Sequence, residues 1–548
     1  MQGTFEDRLA VSLTLTAGGK EHVIPPGNIQ AFALEMHGWG LEGRVEFILT
    51  DNKDLGGKQK DTLLPDFLKP DLGEVSLEVS AIQTDARPKQ KPTPLKLKGL
   101  VSSKTLVELP GSSAPKAPLL HRRYTVRFVD AARLLWRQHH PCALYTEKTF
   151  KDVLEEHKGE KIQLSYDWDA VLGVSHPLLF LGLEREAGAS FYDLLLWYLD
   201  RHQGVLAYDA EKGSYSLLGA KADAGEPLEL EPGEVASLEV LLPEVLRHGA
   251  TVFNAVAEGS KKEELTHDQA VAGLRQDVLM CTPLADVVQA RVDLEKARLQ
   301  ARGMELELEW RRMPATAFSP GSLVKLPPGK GWNPASVAAQ DTFRVRTLLL
   351  RGQAIESNPD TEREAPYAGF HFQMSTRLER KDEAWIDLPA YTPPRYPRHV
   401  EGVLVSEVGE DKHETWQVYS EEKTSLECYH VKLPIWDDQV VHAPFNPNLM
   451  PGHFYFPAYK NERVLVALDF QNAWVKRFLD WRAGARLPQE SQGVQLLMGK
   501  TPTNGATLQQ SYEDDKPVLL LQRTNEKDTG VIRLREGALR IQVKEEKS

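Results

Sequence analysis

Few groups in this chain have the type and spacing that chemistry requires. His139-His-Pro-Cys142 is the most metal-like cluster. Structural zinc needs four ligands in a defined geometry, two adjacent imidazoles point apart, and no second cluster stands at zinc spacing. The run therefore reads as a helix end and its following loop. Pro327-Pro-Gly-Lys-Gly-Trp332 lacks the first glycine of a phosphate loop and the Ser or Thr that should follow Lys330, so it reads as a turn. The acids Asp437-Asp438 and Glu513-Asp-Asp515 fall in turn contexts, where neighbouring carboxylates are solvated. Neither a Gly-x-Ser-x-Gly elbow nor a His-Glu-x-x-His motif occurs. Trp416, Tyr419, Tyr429 and Trp436 could form a stacking platform for nucleic acid or sugar, but the surrounding Glu and Asp residues oppose a polyanion. Packing within a core or between chains is the better reading. No residue is assigned a catalytic, cofactor-binding or metal role, and the expectation is a protein that is not an enzyme.

The elements that would carry these residues are mainly strands. Leu9 to Thr16 and Glu74 to Ser80 alternate, as half-buried strands do. Met304-Glu-Leu-Glu-Leu-Glu-Trp310 alternates strictly, which predicts Met, Leu and Trp against a core and the glutamates in water. Helices are fewer. Phe191, Leu194, Leu195, Tyr198 and Leu199 recur at helical spacing, with Ser190 and Asp193 as a cap and Gly204 as a stop. Phe150, Val153, Leu154 and His157 share a face of a second helix that starts at Thr149. A third, of about 20 residues, is expected from Thr282 to Gly303, with Pro283 in its first turn.

Composition bounds the class. At 548 residues the chain is too long for one core, and about three domains are expected. Hydrophobic residues at 41% and charged residues at 26% are ordinary for a globular protein. The net charge of −12 is spread over mixed acids and bases, and no Lys/Arg stripe asks for nucleic acid. Three cysteines, Cys142, Cys281 and Cys428, cannot build a disulfide framework and fit a reducing cytosol. No signal-peptide pattern and no run of 18 apolar residues is present, so no membrane insertion is expected in the resting state. Leu109 to Pro118 reads as a loop or linker, and the proline-dense Ala390 to Pro397 marks a domain boundary.

After that boundary come Val400-Glu-Gly-Val-Leu-Val-Ser406, then His430-Val-Lys-Leu-Pro-Ile-Trp436, then Met450-Pro-Gly-His-Phe-Tyr-Phe-Pro-Ala-Tyr-Lys-Asn-Glu-Arg-Val-Leu-Val-Ala467. In this order they resemble the oligonucleotide/oligosaccharide-binding (OB) domain of VgrG proteins, the spikes of type VI secretion systems and relatives of phage baseplate hubs. The Ala187 to Tyr208 segment resembles the hub part of the same family. The chain departs from the family in Asn472 to Trp481, where a Gly-Asp-Pro-x-x-Pro turn is expected, and in the shortness of its tail.

The expected fold is mainly β with α/β elements: a phage-hub-like region of β-barrels with inserted helices over 1–395, an OB-fold barrel over 396–486, and over 487–548 the start of an intertwined trimeric β-prism. The tail strands Val518–Gln522, Val531–Arg535 and Leu539–Val543 have too little area to close a core alone. Val518, Leu520, Val531, Leu534, Leu539, Ile541 and Val543 are therefore expected to face neighbouring chains. The resemblance implies a structural homotrimer that docks on a ring of Hcp-like inner-tube protein and carries a PAAR-like tip protein and effectors or their adaptors. It would be cytoplasmic in the assembled machine and then be exported without a signal peptide. The alternatives are the hub of a phage tail or extracellular injection particle, or a glycan-active or glycan-binding spike.

Overall fold

A computed structural model describes residues 4–51, 61–82, 91–110, 120–222, 225–257, 259–339, 341–356, 365–407, 419–420, 427–444, 460–479, 494–501 and 504–545. The protein is mostly β. It divides into two compact units: 1–142, 149–175 and 183–394 form the first, and 143–148, 176–182 and 395–548 form the second. Two short pieces from the middle of the chain thus belong with the C-terminal unit. The Leu144–Tyr145 strand pairs with Leu179–Phe180, and Leu144, Leu178 and Phe180 join its core.

The first unit is built on a ring of antiparallel strands. Phe5–Ala17 pairs with Glu74–Ala81, and the path continues through Leu95–Pro110, Leu120–Val129, Gly40–Asp51, Ile29–His37, Thr342–Ala354 and Ala368–Arg380 back to Phe5–Ala17. Alternation sets the inside. Val11, Leu13 and Leu15 stand opposite Val79, Leu77 and Val75, and all six are 2% exposed or less; each contributes about 1.5 to 3 kcal/mol of transfer free energy. Gly43 lies under Phe128, whose ring would stand 2.2 Å from a Cβ, so only glycine permits that approach.

Two long strands carry the sheet beyond the ring. In Ala368–Arg380, residues Ala368 to Phe372 pair with Phe5 to Leu9, whereas Met374 to Glu379 pair with the Glu305–Trp310 strand. Its partner Thr342–Ala354 changes register between Val345 and Thr347, a bulge that leaves Arg346 to be re-aimed. Val235–Leu241 on one side and Leu323–Lys325 with Leu228–Glu229 on the other extend this region into a half-barrel.

That bulge accounts for a departure from strict alternation. Leu306, Leu308 and Trp310 are buried as expected, but so is Glu305. Its carboxylate accepts from Arg346 Nη1 at 2.9 and 3.1 Å and also meets Arg302. The Arg302 and Arg346 guanidiniums lie over the Trp385 ring, at 3.8 and 4.6 Å.

Helices pack on the first unit. Phe150–His157 and Phe191–His202 both begin with capping boxes, at Thr149/Asp152 and Ser190/Asp193. The second helix ends in Gln203, at φ 54°, one residue before the expected stop at Gly204. The third helix is shorter than its sequence limits, running from Ala285 to Arg298. Thr282 is tied to Asn254 through its N–H and to Leu284 through its hydroxyl, which holds Pro283 outside the helix. Asp130 is fully buried and accepts from Leu41 N, Arg133 N and Tyr215 Oη.

In the second unit, Arg398–Val405, Tyr419–Ser420, Glu427–Leu433, Gln439–Pro444, Arg463–Leu468 and Ala473–Phe478 form one antiparallel sheet. Tyr429, Val431 and Leu433 point into its core with Val441, Val464 and Val466. A separate five-stranded meander follows: Val494–Thr501, Asn504–Glu513, Lys516–Asn525, Asp528–Arg535 and Ala538–Lys544.

Candidate assembly interface

The groups singled out for chemistry have local partners. His139 Nε2 lies 2.9 Å from His157 Nδ1, and both rings lie beside Phe191, at 5.5 and 5.3 Å. Burial lowers both imidazoles from the ordinary value, with neighbouring His140 adding to the effect on His139 and His139 to that on His157. Among the described residues no group of three or more His, Cys, Asp or Glu side chains is arranged to hold a metal. Lys330 pairs with Glu229, and Trp332 donates to the Leu230 carbonyl at 2.7 Å, which makes this loop a stapled turn. Asp437 and Asp438 occupy left-handed turn positions, and Asp438 lies 3.3 Å from Lys432.

Of the four aromatic residues, Trp416 lies outside the described residues. Tyr429 is buried, and Trp436 meets Phe180 edge-on at 5.5 Å. Tyr419 stacks on His430, which stacks in turn on His442, with centroids 3.4 and 4.3 Å apart. Burial, and then His442, lowers the His430 imidazole.

The tail meander presents a different kind of site. Two-residue turns at Asp514-Asp515, Glu526-Lys527 and Glu536-Gly537 join its last four strands. Asp514, Asp515, Glu526 and Gly537 have positive φ, the conformation that such turns require. The turns fix an unbroken register in which Leu521 stands opposite Leu508 and Ile532, Leu519 opposite Leu534, Ile532 opposite Ile541, and Leu534 opposite Leu539. Directly opposed residues share a face. One face therefore carries Leu496, Met498, Leu508, Leu519, Leu521, Ile532, Leu534, Leu539, Ile541 and Val543, with Gln510 and Arg523 among them. The other carries Gln509, Ser511, Val518, Leu520, Gln522, Val531, Arg533, Arg540 and Gln542.

The seven residues expected at the chain interface thus divide between faces. Leu534, Leu539, Ile541 and Val543 lie on the apolar face, whereas Val518, Leu520 and Val531 lie on the polar one. The division has a simple physical cause: moving one residue along a strand inverts the side-chain direction. Exposure separates the two sets as well. Val518 is 3% exposed, while Leu539, Ile541 and Val543 are 61, 67 and 68% exposed in the single chain. Leu496, Met498, Leu519, Leu521 and Ile532, not among the seven, are also exposed. A largely apolar, exposed sheet face has the character of a contact surface.

No family model matches the chain, and no curated protein matches it. Among solved structures it is similar to a chain of the Francisella PdpA–VgrG complex in its half-lidded form, with a TM-score of 0.72 and 12% identity, over 99% of this chain and 89% of that one. The lidless PdpA–VgrG complex gives a TM-score of 0.70 and 12% identity, over 98% and 99%. The lidded Francisella complex gives 0.71 and 12%, over 98% and 80%. At this identity the likeness is one of fold, and it extends over nearly the whole chain.

Proposed function

We propose that the chain is a structural hub-and-spike subunit of a contractile injection machine of the type VI secretion kind. The observation that carries this reading is the bare apolar face of the tail meander, on a chain whose fold matches a chain of a PdpA–VgrG complex across almost its entire length. Three copies wind their tails together with these faces inward, so that a sheet too thin to enclose a core becomes one wall of a shared prism. The sheet before the tail acts as an OB-type collar. The first unit is the hub, which docks on a ring of Hcp-like tube protein, and the tail end receives a PAAR-like tip protein with effectors or their adaptors. The role is mechanical rather than catalytic, and the machine itself carries the subunit out of the cell. Among the described residues no helix is long and apolar enough to cross a membrane.

Because the similar solved chains come from complexes that also hold a second protein, a VgrG-like partner on the tail is the alternative occupant. Mixing the purified chain with tube protein and tip protein from the same machine tests the role. Co-elution with both is expected, with tip binding lost when residues 494–545 are removed and tube binding kept. Retention of tip binding by the truncated chain would contradict the assignment of the tail.

A further inference from the structure

Four strands of the ring present one row of side chains on its outer face. Arg351 stands opposite Ala33, Ala33 opposite Arg44, and Arg44 opposite Arg127. The row crosses a depression of about 320 Å³, whose lining includes the small residues Ala33 and Gly43 and the apolar Leu349 and Val129. Like charges directly opposed on neighbouring strands are destabilising, and here only one of the pair is answered: Arg44 reaches Glu46 at 3.2 Å. Arg127 and Arg351 are exposed, and among the described residues neither makes an ion pair or a side-chain hydrogen bond. The carboxylates of the depression are engaged elsewhere, Glu35 by His37 at 2.9 Å and Glu42 by Arg133 at 2.8 Å. Two guanidiniums are therefore open to an acidic partner.

The same unit carries the opposite charge at the edge of its half-barrel. Val235–Leu241 pairs with Glu305–Trp310 and, among the described residues, with no other strand. An edge strand of this kind is a ready place for another chain to meet. Glu239 stands directly opposite Glu307, a second like-charge pair. Glu307 meets Arg377 at 3.2 Å, whereas Glu239, and Glu244 just beyond the strand, are exposed and make no ion pair among the described residues. Beside these acids, Val240 is 39% and Leu242 82% exposed. An acidic segment with bare apolar side chains thus matches a basic depression with apolar walls in both charge and polarity.

We propose that residues 239–244 of one copy of this chain dock in the Arg127 and Arg351 depression of the next. The proposal rests on the homotrimer reading, and it adds a contact made by the first unit to the one made by the tail. Because the two patches differ, the contact is heterologous, and such contacts close a ring when the rotation between copies permits it. Charge complementarity fixes the register and suppresses wrong pairings, while burial of Leu242 adds apolar area.

Cysteine pairing tests the contact in the full chain. In a Cys142→Ser, Cys281→Ser background, which removes the exposed native thiols, Ala33→Cys and Leu242→Cys are introduced together and oxidised mildly. Bridged species of two and three chains are expected on a non-reducing gel. A bridge within one chain leaves the mass of a single chain, and either cysteine alone should give no ladder. Arg127→Glu with Arg351→Glu should lower the bridged yield about tenfold, and adding Glu239→Arg with Glu244→Arg should recover it. Native mass spectrometry of the unoxidised protein distinguishes this contact from the trimer itself. A three-chain mass without bridges between chains would overturn the contact and leave the tail-based trimer standing, whereas a one-chain mass would remove both. A bridged yield indifferent to charge reversal would also overturn the proposal.

Discussion

Ile541 distinguishes a lone chain from an assembly. In the single chain it is 67% exposed, and an exposed position tolerates most substitutions within about 0.5 kcal/mol. If three tails close on one another, Ile541→Asp sets three carboxylates in an apolar core, adding like-charge repulsion to desolvation. The expected result is a fall in the melting temperature of the assembly and loss of the tip protein. The neighbouring Gln542→Asp, on the opposite face, should leave both unchanged. Equal behaviour of the two variants by melting and tip-binding assays would count against the inward apolar face. Asp130 gives a second residue-scale expectation, because Asp130→Ala strands the Leu41 and Arg133 amides and the Tyr215 hydroxyl. Its cost should be on the order of 3 kcal/mol by denaturant titration.

The histidine pair predicts the pH response of the first unit. His139 and His157 contact each other, His140 adjoins one and Glu156 the other, and both imidazoles are lowered from their ordinary value of 6.5. The folded chain therefore binds fewer protons than the unfolded chain below that pH. Their contribution to stability is fully present above 6.5 and is lost as pH falls through the lowered folded values. Melting temperatures followed downward from pH 7.5 should decline through this window, and His157→Gln should flatten the decline. A variant that melts in parallel with the wild type at every pH would remove the pair as the cause.

At the scale of elements, the helix at Phe191 shows how far local signals reach. Its apolar spacing and the Ser190/Asp193 capping box were legible in the residues and stand in the structure. Ser190→Ala should cost about 1 kcal/mol in a thermal or denaturant melt, and no measurable loss would mean that the cap is redundant. Tertiary effects were less legible. Glu305 occupies a position where alternation puts glutamate in water, but a bulge on a strand about 40 residues later aims Arg346 at it. The tail faces were missed for a more local reason. Selecting tail residues by hydrophobicity mixed both sides of the sheet, whereas counting outward from the two-residue turns places Leu521, Ile532 and Ile541 together and sets Val518 and Val531 apart.

For the whole molecule, the largely β character follows from alternation that recurs from Leu9 to Val543. The ring closure does not, since it joins Phe5–Leu9 to Ala368–Phe372 across more than 350 residues of chain. Nor could periodicity place 143–148 and 176–182 in the C-terminal unit, because two-residue strands carry no period to read. Both results depend on long-range pairing, whose partners are chosen by packing after the local elements form. The apolar tail face raises the same question at the level of subunits: what covers it. Native mass spectrometry of the intact protein at micromolar concentration addresses this most directly. A homotrimer, with three times the mass of the 61.5-kDa chain, is the expected species, and Ile541→Asp should shift it toward monomer; a wild-type chain that remains monomeric would contradict the account.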